Sequence, residues 1–167
     1  MIIVSDTSPL NYLILIDCQE VLPTLFGQII IPQAVLNELQ HAKTPQKIKN
    51  WIITKPDWLE VRNVRLSPNN KLENLDYGER EAIFLAEELG ADAILIDEKD
   101  GRREAAKLGF ITIGTLSVLD RAAETGLISF AEAIDRLRRT PFREPEQIVQ
   151  ALLEKHRKLF PEIADNF

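Results

Sequence analysis

The chain opens Met1-Ile2-Ile3-Val4-Ser5-Asp6-Thr7-Ser8-Pro9. A short apolar run rich in β-branched residues, a polar turn, then a residue suited to capping a helix with proline directly after it predict a buried strand over residues 1–5. A helix follows, with Ser8 as its N-cap and Pro9 at its first position. A strand that feeds straight into a helix is the start of βαβ winding, and the same grammar recurs downstream. Gln28 to Ile31 reads as a strand running into a helix over Pro32 to Gln40. A helix restarts at Thr44-Pro45 and runs to about Ile53, and Leu59 to Val64 alternates like a strand nearer an edge.

Leu75 to Leu89 carries apolar residues at helical spacing, opens with Asp76 and stops at Gly90. Ala93 to Ile96 is a wholly apolar strand. A short helix after Asp97 reaches Leu108, Phe110 to Ile113 is the next strand, and Thr115 to Glu124 the next helix. Alternation of this kind predicts an α/β fold: a mostly parallel central sheet with helices on both faces, three layers in all. Beyond Gly126 no strand is expected. Ser129 to Arg139 and Glu144 to Leu159 read as two helices, the first opened by a Ser129/Glu132 capping box. The expected organisation is one domain over residues 1–128 with a helical extension, 129–167, packed on it.

Composition fits an ordinary soluble domain: 167 residues, 45% hydrophobic, 28% charged, net charge −6. A chain of this size buries about 70% of its unfolded surface, a core that needs no staple. Cys18 is the single cysteine, so no intrachain disulfide forms, and His41 and His156 are too far apart for a short-spaced zinc cluster. A reducing, cytoplasmic setting is expected, with neither an export leader nor a membrane span. The acidic balance argues against coating nucleic acid by bulk charge, though not against an enzyme with a local basic rim.

The glycines stand at positions 27, 78, 90, 101, 109, 114 and 126. Neither G-x-G-x-x-G nor a phosphate-cradling G-x-x-x-x-G-K can be assembled from them, which removes the main support for a nucleotide cofactor. What remains is acid. In open parallel sheets the ligand crevice lies at the carboxyl ends of the strands, and Asp6 and Asp97 both stand there. Glu79 shares the helix face of Leu75, Ala82 and Ile83, so it points at the sheet, where an uncompensated carboxylate is costly. The competing reading is a capping box in which Glu79 folds back toward Asp76. Glu38 lies on the margin of its helix's apolar stripe, beside Val35 and Leu39, where a merely solvated role competes with a functional one.

Four carboxylates meeting at one sheet end raise each other's pKa unless a cation joins them. Mg²⁺ or Mn²⁺ prefers oxygen ligands and suits phosphoester chemistry. A phospho-receiver would want paired acids after the first strand and a lysine after the last, and a dehalogenase-type phosphatase would want Asp-x-Asp where Ser8 stands. Both fit less well.

Asp6-Thr7-Ser8 after the first strand, Glu38 in Val-Leu-Asn-Glu-Leu, Glu79 in Asp-Tyr-Gly-Glu-Arg-Glu-Ala-Ile and Asp97 in Leu-Ile-Asp-Glu-Lys-Asp, in that order, resemble the PIN-domain nucleases, especially the small toxin-type (VapC-like) prokaryotic members. The resemblance covers about residues 1–128 and implies a three-layer PIN-like fold and a metal-dependent endoribonuclease. It implies Asp6, Glu38, Glu79 and Asp97 as the catalytic set, with Asp6, Glu79 and Asp97 as ligands of Mg²⁺ or Mn²⁺. Ser8 would be a polar neighbour of the metal shell, Asp100 a further acid, and Asp76 a competitor for the role of Glu79.

The toxin-type resemblance also implies a small antitoxin protein seated in the acidic cleft, and a homodimer. Arg102 and Arg103, with Lys99 and Lys107 nearby, are candidates for contact with RNA phosphate or simply a solvated helix face. Arg136, Arg138, Arg139 and Arg143 could grip RNA, pair with an acidic partner or do neither. Trp51 and Trp58 are expected to pack. The alternative function is a PIN-like module that binds RNA or protein without cutting.

Overall fold

A computed structural model describes residues 1–65 and 72–161. The chain divides into two compact units, Met1–Thr115 and Leu116–Phe167.

The first unit is built on five strands, β1 (Ile3–Ser5), β2 (Ile29–Pro32), β3 (Leu59–Arg62), β4 (Ala93–Leu95) and β5 (Ile111–Ile113), in the order β3-β2-β1-β4-β5. Every pairing is parallel: Ile3 lies opposite Ile29 on one side and Ala93 on the other, Ile29 opposite Leu59, and Ala93 opposite Ile111. The sheet is therefore wholly parallel, and its strands carry apolar residues on both faces as such sheets require. Val4, Ile30 and Ile94 pack on one face with Ala82, Ile83, Leu85 and Ala86 of α5 (Tyr77–Leu89) and with Ala105 of α6 (Lys99–Lys107). Ile3, Ile29, Ile31 and Leu95, which alternate onto the opposite face, are equally buried. Burying Ile83 and Leu85 stabilises the layer by roughly 1.5–3 kcal/mol each.

The strand order reverses between β1 and β4. Winding runs from β1 out through β2 to β3 on one side, and through β4 to β5 on the other. That reversal opens a crevice at the carboxyl ends of β1 and β4.

Two local readings of the sequence are corrected. The first helix, α1 (Thr7–Leu15), begins at Thr7, so Asp6 rather than Ser8 occupies the N-cap position, and Pro9 falls inside the first turn. Proline is tolerated there because backbone N–H groups of the first turn have no partner within the helix. The stretch around Pro23, for which no element is predicted above, contains a short helix, α2 (Val21–Phe26), in which Pro23 again sits in the first turn. After β2 come α3 (Gln33–Leu39) and α4 (Gln46–Ile53).

α5 forms where the sequence predicts it. Asp76 caps it by accepting the Glu79 N–H at 2.9 Å, and Gly90 closes it in the left-handed conformation. Trp51 and Trp58 pack on each other with ring centroids 5.7 Å apart, as expected.

The second unit is helical. It contains most of α7 (Thr115–Glu124), with α8 (Phe130–Leu137), capped by the Ser129 hydroxyl, and α9 (Glu146–Leu159). Phe130 stacks on His156 at 4.5 Å, and Asp120 accepts from Lys155 at 2.9 Å and pairs with the His156 ring nitrogen Nε2 at 2.7 Å. Arg138 pairs with Glu146, Arg139 with Asp135, and Arg143 donates to the Thr140 and Phe142 carbonyls. These arginines are thus engaged within their own unit. Among the described residues no helix is long and apolar enough to cross a membrane.

Candidate active site

The geometry starts from backbone pairing. Ser5 lies opposite Leu95 in the β1–β4 ladder, and the N–H of Asp6 donates to the Leu95 carbonyl at 2.9 Å. The chain then turns into α1, which leaves the Asp6 carboxylate at the crevice with only 2% of its surface exposed. Its Oδ1 is buried and has no hydrogen-bond partner among the described residues. Burial pushes the carboxyl well above the usual range; a backbone hydrogen bond from Thr7 opposes this, and the charges of Asp76, Glu79 and Glu38 add to it.

Glu79 is 4% exposed, on the sheet-facing side of α5. Burial and capping coincide at Glu79: Asp76 accepts the Glu79 N–H, a backbone hydrogen bond from Asp76 acts on the Glu79 carboxyl and lowers its pKa, and the side chain is buried. Burial first, then the neighbouring charge of Asp76, lift its pKa to about 7, with Glu98 and Glu38 contributing further. Asp76 itself is exposed, so it shapes the charge of the site from its rim.

Glu38, half-buried near the end of α3, has both oxygens engaged. The Thr7 hydroxyl donates to Oε2 and the Gly78 N–H to Oε1 at 3.1 Å. A Cβ on Gly78 would come within 2.8 Å of the Glu38 carboxyl carbon, so only glycine lets α5 approach this acid so closely. Burial raises the Glu38 pKa and the Thr7 hydroxyl pulls it back down; Asp76 raises it and the Gly78 N–H lowers it.

Asp97 leaves β4 beside Asp6, but its carboxylate is turned toward the end of β5. Oδ1 accepts the Thr115 N–H and Oδ2 the Thr115 hydroxyl, both at 2.7 Å. Asp6, Glu38, Asp76 and Glu79 are therefore drawn into one electrostatic neighbourhood, with Asp97 anchored at its side. Ser8 is half-buried in the first turn of α1. Asp100 is exposed and pairs with Arg103 at 3.0 Å. The guanidinium of half-buried Arg102 lies toward Gly114, next to Asp97.

Thr7, Gly78, Glu98, Gly114 and Thr115 belong to this neighbourhood and were not apparent as functional candidates. Glu98 could have been found from its place beside Asp97. The others take their roles from partners distant in the chain, and nothing in the local sequence marks them.

Among the described residues no three Asp, Glu, His or Cys side chains are gathered so as to hold a metal ion. The donor chemistry nonetheless fits a hard divalent cation: Asp6 has an unpartnered buried oxygen, and it and Glu79 carry carboxyls that repel one another. Mg²⁺ is commonly held by one or two carboxylates, with water and substrate phosphate completing its shell.

A PIN-domain family model (DUF3368) matches residues 2–158. Among solved structures, the chain is similar to a PilT N-terminus domain protein, SSO1118, from the hyperthermophilic archaeon Sulfolobus solfataricus P2. The two share 23% identity with a TM-score of 0.54 over 73% of this chain and 93% of that one, a likeness of fold. No curated protein matches.

Proposed function

The chain belongs to the PIN-domain family, whose fold is generally that of nucleases, and from this we propose that it is a Mg²⁺- or Mn²⁺-dependent endoribonuclease hydrolysing RNA phosphodiesters. The observation that carries the reading is the buried Asp6 carboxylate, its Oδ1 unpartnered, standing among Glu38, Asp76 and Glu79 at the point where the strand order reverses. An apolar sheet end gains nothing from such a group unless a ligand completes it.

Asp6 and Glu79 are the residues that would hold the ion. A divalent ion there would supply charge that offsets the acids and polarises a phosphate oxygen. Glu38, fixed by Thr7 and Gly78, orients groups at the site from a preset position, and Asp97 does so from its seat on Thr115. Arg102, whose guanidinium lies toward Gly114 and Asp97, and Arg103 next to it on α6 would contact the phosphate backbone.

In cells this enzyme would act in the cytoplasm as the toxin of a toxin–antitoxin pair, as a homodimer. A small antitoxin would place an Arg or Lys among the acids where the ion otherwise sits. Support for this part is the toxin-type motif order alone. A co-purifying protein that lowers cleavage is the expected result, and full activity of the saturated complex is the contrary one.

The deciding experiment incubates the purified chain and Asp6→Asn with labelled single-stranded oligoribonucleotides in Mn²⁺, Mg²⁺ or EDTA. Cleavage by the unmodified chain alone, and only with metal, is expected. Cleavage that persists in EDTA or in Asp6→Asn refutes the proposal. A second reading, a PIN-fold module that binds RNA or protein without cutting, is favoured by one observation: Glu38 and Asp97 already have both oxygens occupied by donors of the chain itself. It predicts no response to millimolar Mn²⁺.

A further inference from the structure

We infer that Thr115 is a positioning residue for Asp97, fixing through its hydroxyl the orientation of that carboxylate at the margin of the acid site. The inference deepens the nuclease reading and rests on it.

The argument begins with register. β4 and β5 pair in parallel with Leu95 opposite Ile113, and the ladder continues one step further, the Ile96 N–H donating to the Ile113 carbonyl at 3.0 Å. Two residues beyond Leu95 is Asp97, and two beyond Ile113 is Thr115. The same ladder that orders the sheet thus brings an acid and a hydroxyl to one level at its carboxyl edge. Thr115 is fully buried, so its hydroxyl has no access to water, and among the described residues it donates to Asp97 Oδ2. Its N–H takes the other oxygen at an equal distance.

A carboxylate held at both oxygens by one rigid residue loses its freedom about the terminal torsion, which for aspartate is otherwise broad. Gly114 completes the seat. A Cβ there would stand 3.1 Å from Asp97 Oδ1 and 3.6 Å from the Arg102 guanidinium, so glycine leaves room for acid and guanidinium to lie side by side. Each aspartate oxygen keeps acceptor capacity after one hydrogen bond. The two bonds from Thr115 therefore do not by themselves exhaust the Asp97 carboxylate that Thr115 aims. Outer partners of this kind are worth about 10–100-fold in metal affinity or turnover.

The test uses the full chain carrying Thr115→Val, which keeps the shape and removes the hydroxyl, with Thr115→Ser and Thr115→Ala beside it. Two quantities are read: the Mn²⁺ midpoint from the rise in Tm, and kcat and KM on a defined oligoribonucleotide. Thr115→Val and Thr115→Ala are expected to raise the Mn²⁺ midpoint and lower kcat, each by about tenfold or more, with KM nearly unchanged; Thr115→Ser restores both. In an Asp97→Asn background, Thr115→Val should add no further loss, because the hydroxyl acts through that acid. Wild-type midpoint and kcat in both hydroxyl-free variants, or a full further loss in the Asp97→Asn background, overturns the inference while leaving the nuclease reading intact. An unmodified chain that neither responds to Mn²⁺ nor cleaves overturns that reading and this role with it.

Discussion

Asp76 acts on Glu79 in two opposite ways. Its Oδ1 accepts the Glu79 N–H at 2.9 Å and so starts α5, while its charge, added to the effect of burial, holds the Glu79 carboxyl near a pKa of 7. The residue that makes the helix begin here also makes its first-turn glutamate reluctant to ionise.

The folded chain therefore binds the Glu79 proton more tightly than the unfolded chain, whose value is 4.5. Between pH 4.5 and about 7 the unfolded state loses this proton first, so metal-free stability falls as pH rises across that window. The full effect is roughly 3 kcal/mol. Urea unfolding in EDTA should show Glu79→Gln more stable than the unmodified chain at pH 8 and close to it at pH 4.5; equal stability at both would refute the account.

Asp6→Asn replaces a buried carboxyl group by an amide of nearly the same shape. Metal-free Asp6→Asn should be at least as stable as the unmodified chain at pH 7.5, yet lose the Tm increase that Mn²⁺ gives and about a hundredfold or more of kcat. Thermal shift with and without Mn²⁺ measures the first two, and single-turnover cleavage the third.

Gly78→Ala tests the approach of α5 to Glu38. Alanine favours the helix by about 0.5–1 kcal/mol, but its methyl group would force the Glu38 carboxyl away from Thr7 and the Gly78 N–H. The expected outcome is stability within about 1 kcal/mol of the unmodified chain and a tenfold or greater fall in activity. Parallel urea and cleavage measurements separate this from simple unfolding, which would lower both.

In the helical unit, Asp120 bonds Lys155 and the buried ring of His156. Burial raises its pKa, but these hydrogen bonds and charges outweigh that and hold it below 3.8. The stability it contributes is present above pH 3.8 and lost as pH falls through its lower folded value. Asp120→Ala strands the His156 ring and should cost about 1–3 kcal/mol in urea unfolding at pH 7; an unchanged midpoint would show the network to be idle.

How far the sequence carries is visible residue by residue. Parallel strands buried on both faces write themselves as short apolar runs, so β1 and β4 and the acids after them are legible, as is Glu79 on the buried face of α5. Pro23 hid α2, because a proline that breaks a helix and one that opens it look alike without the flanking geometry. The clamp of Thr7 and Gly78 on Glu38 joins three helices, and the seat of Asp97 on Thr115 depends on the register between β4 and β5. Contacts of that kind are set by tertiary pairing, which local pattern does not encode.

The strand order has a consequence for synthesis. β1 finds its neighbour β2 within thirty residues of chain, but Ile3 meets Ala93 only after the intervening segment has been made. Until then Asp6 hangs at an open sheet edge in water, where its charge costs nothing and holds nothing. On the proposed reading, the nascent chain would have no complete acid site until β4 is made, and any action on RNA would wait for the closing of the longest connection in the sheet.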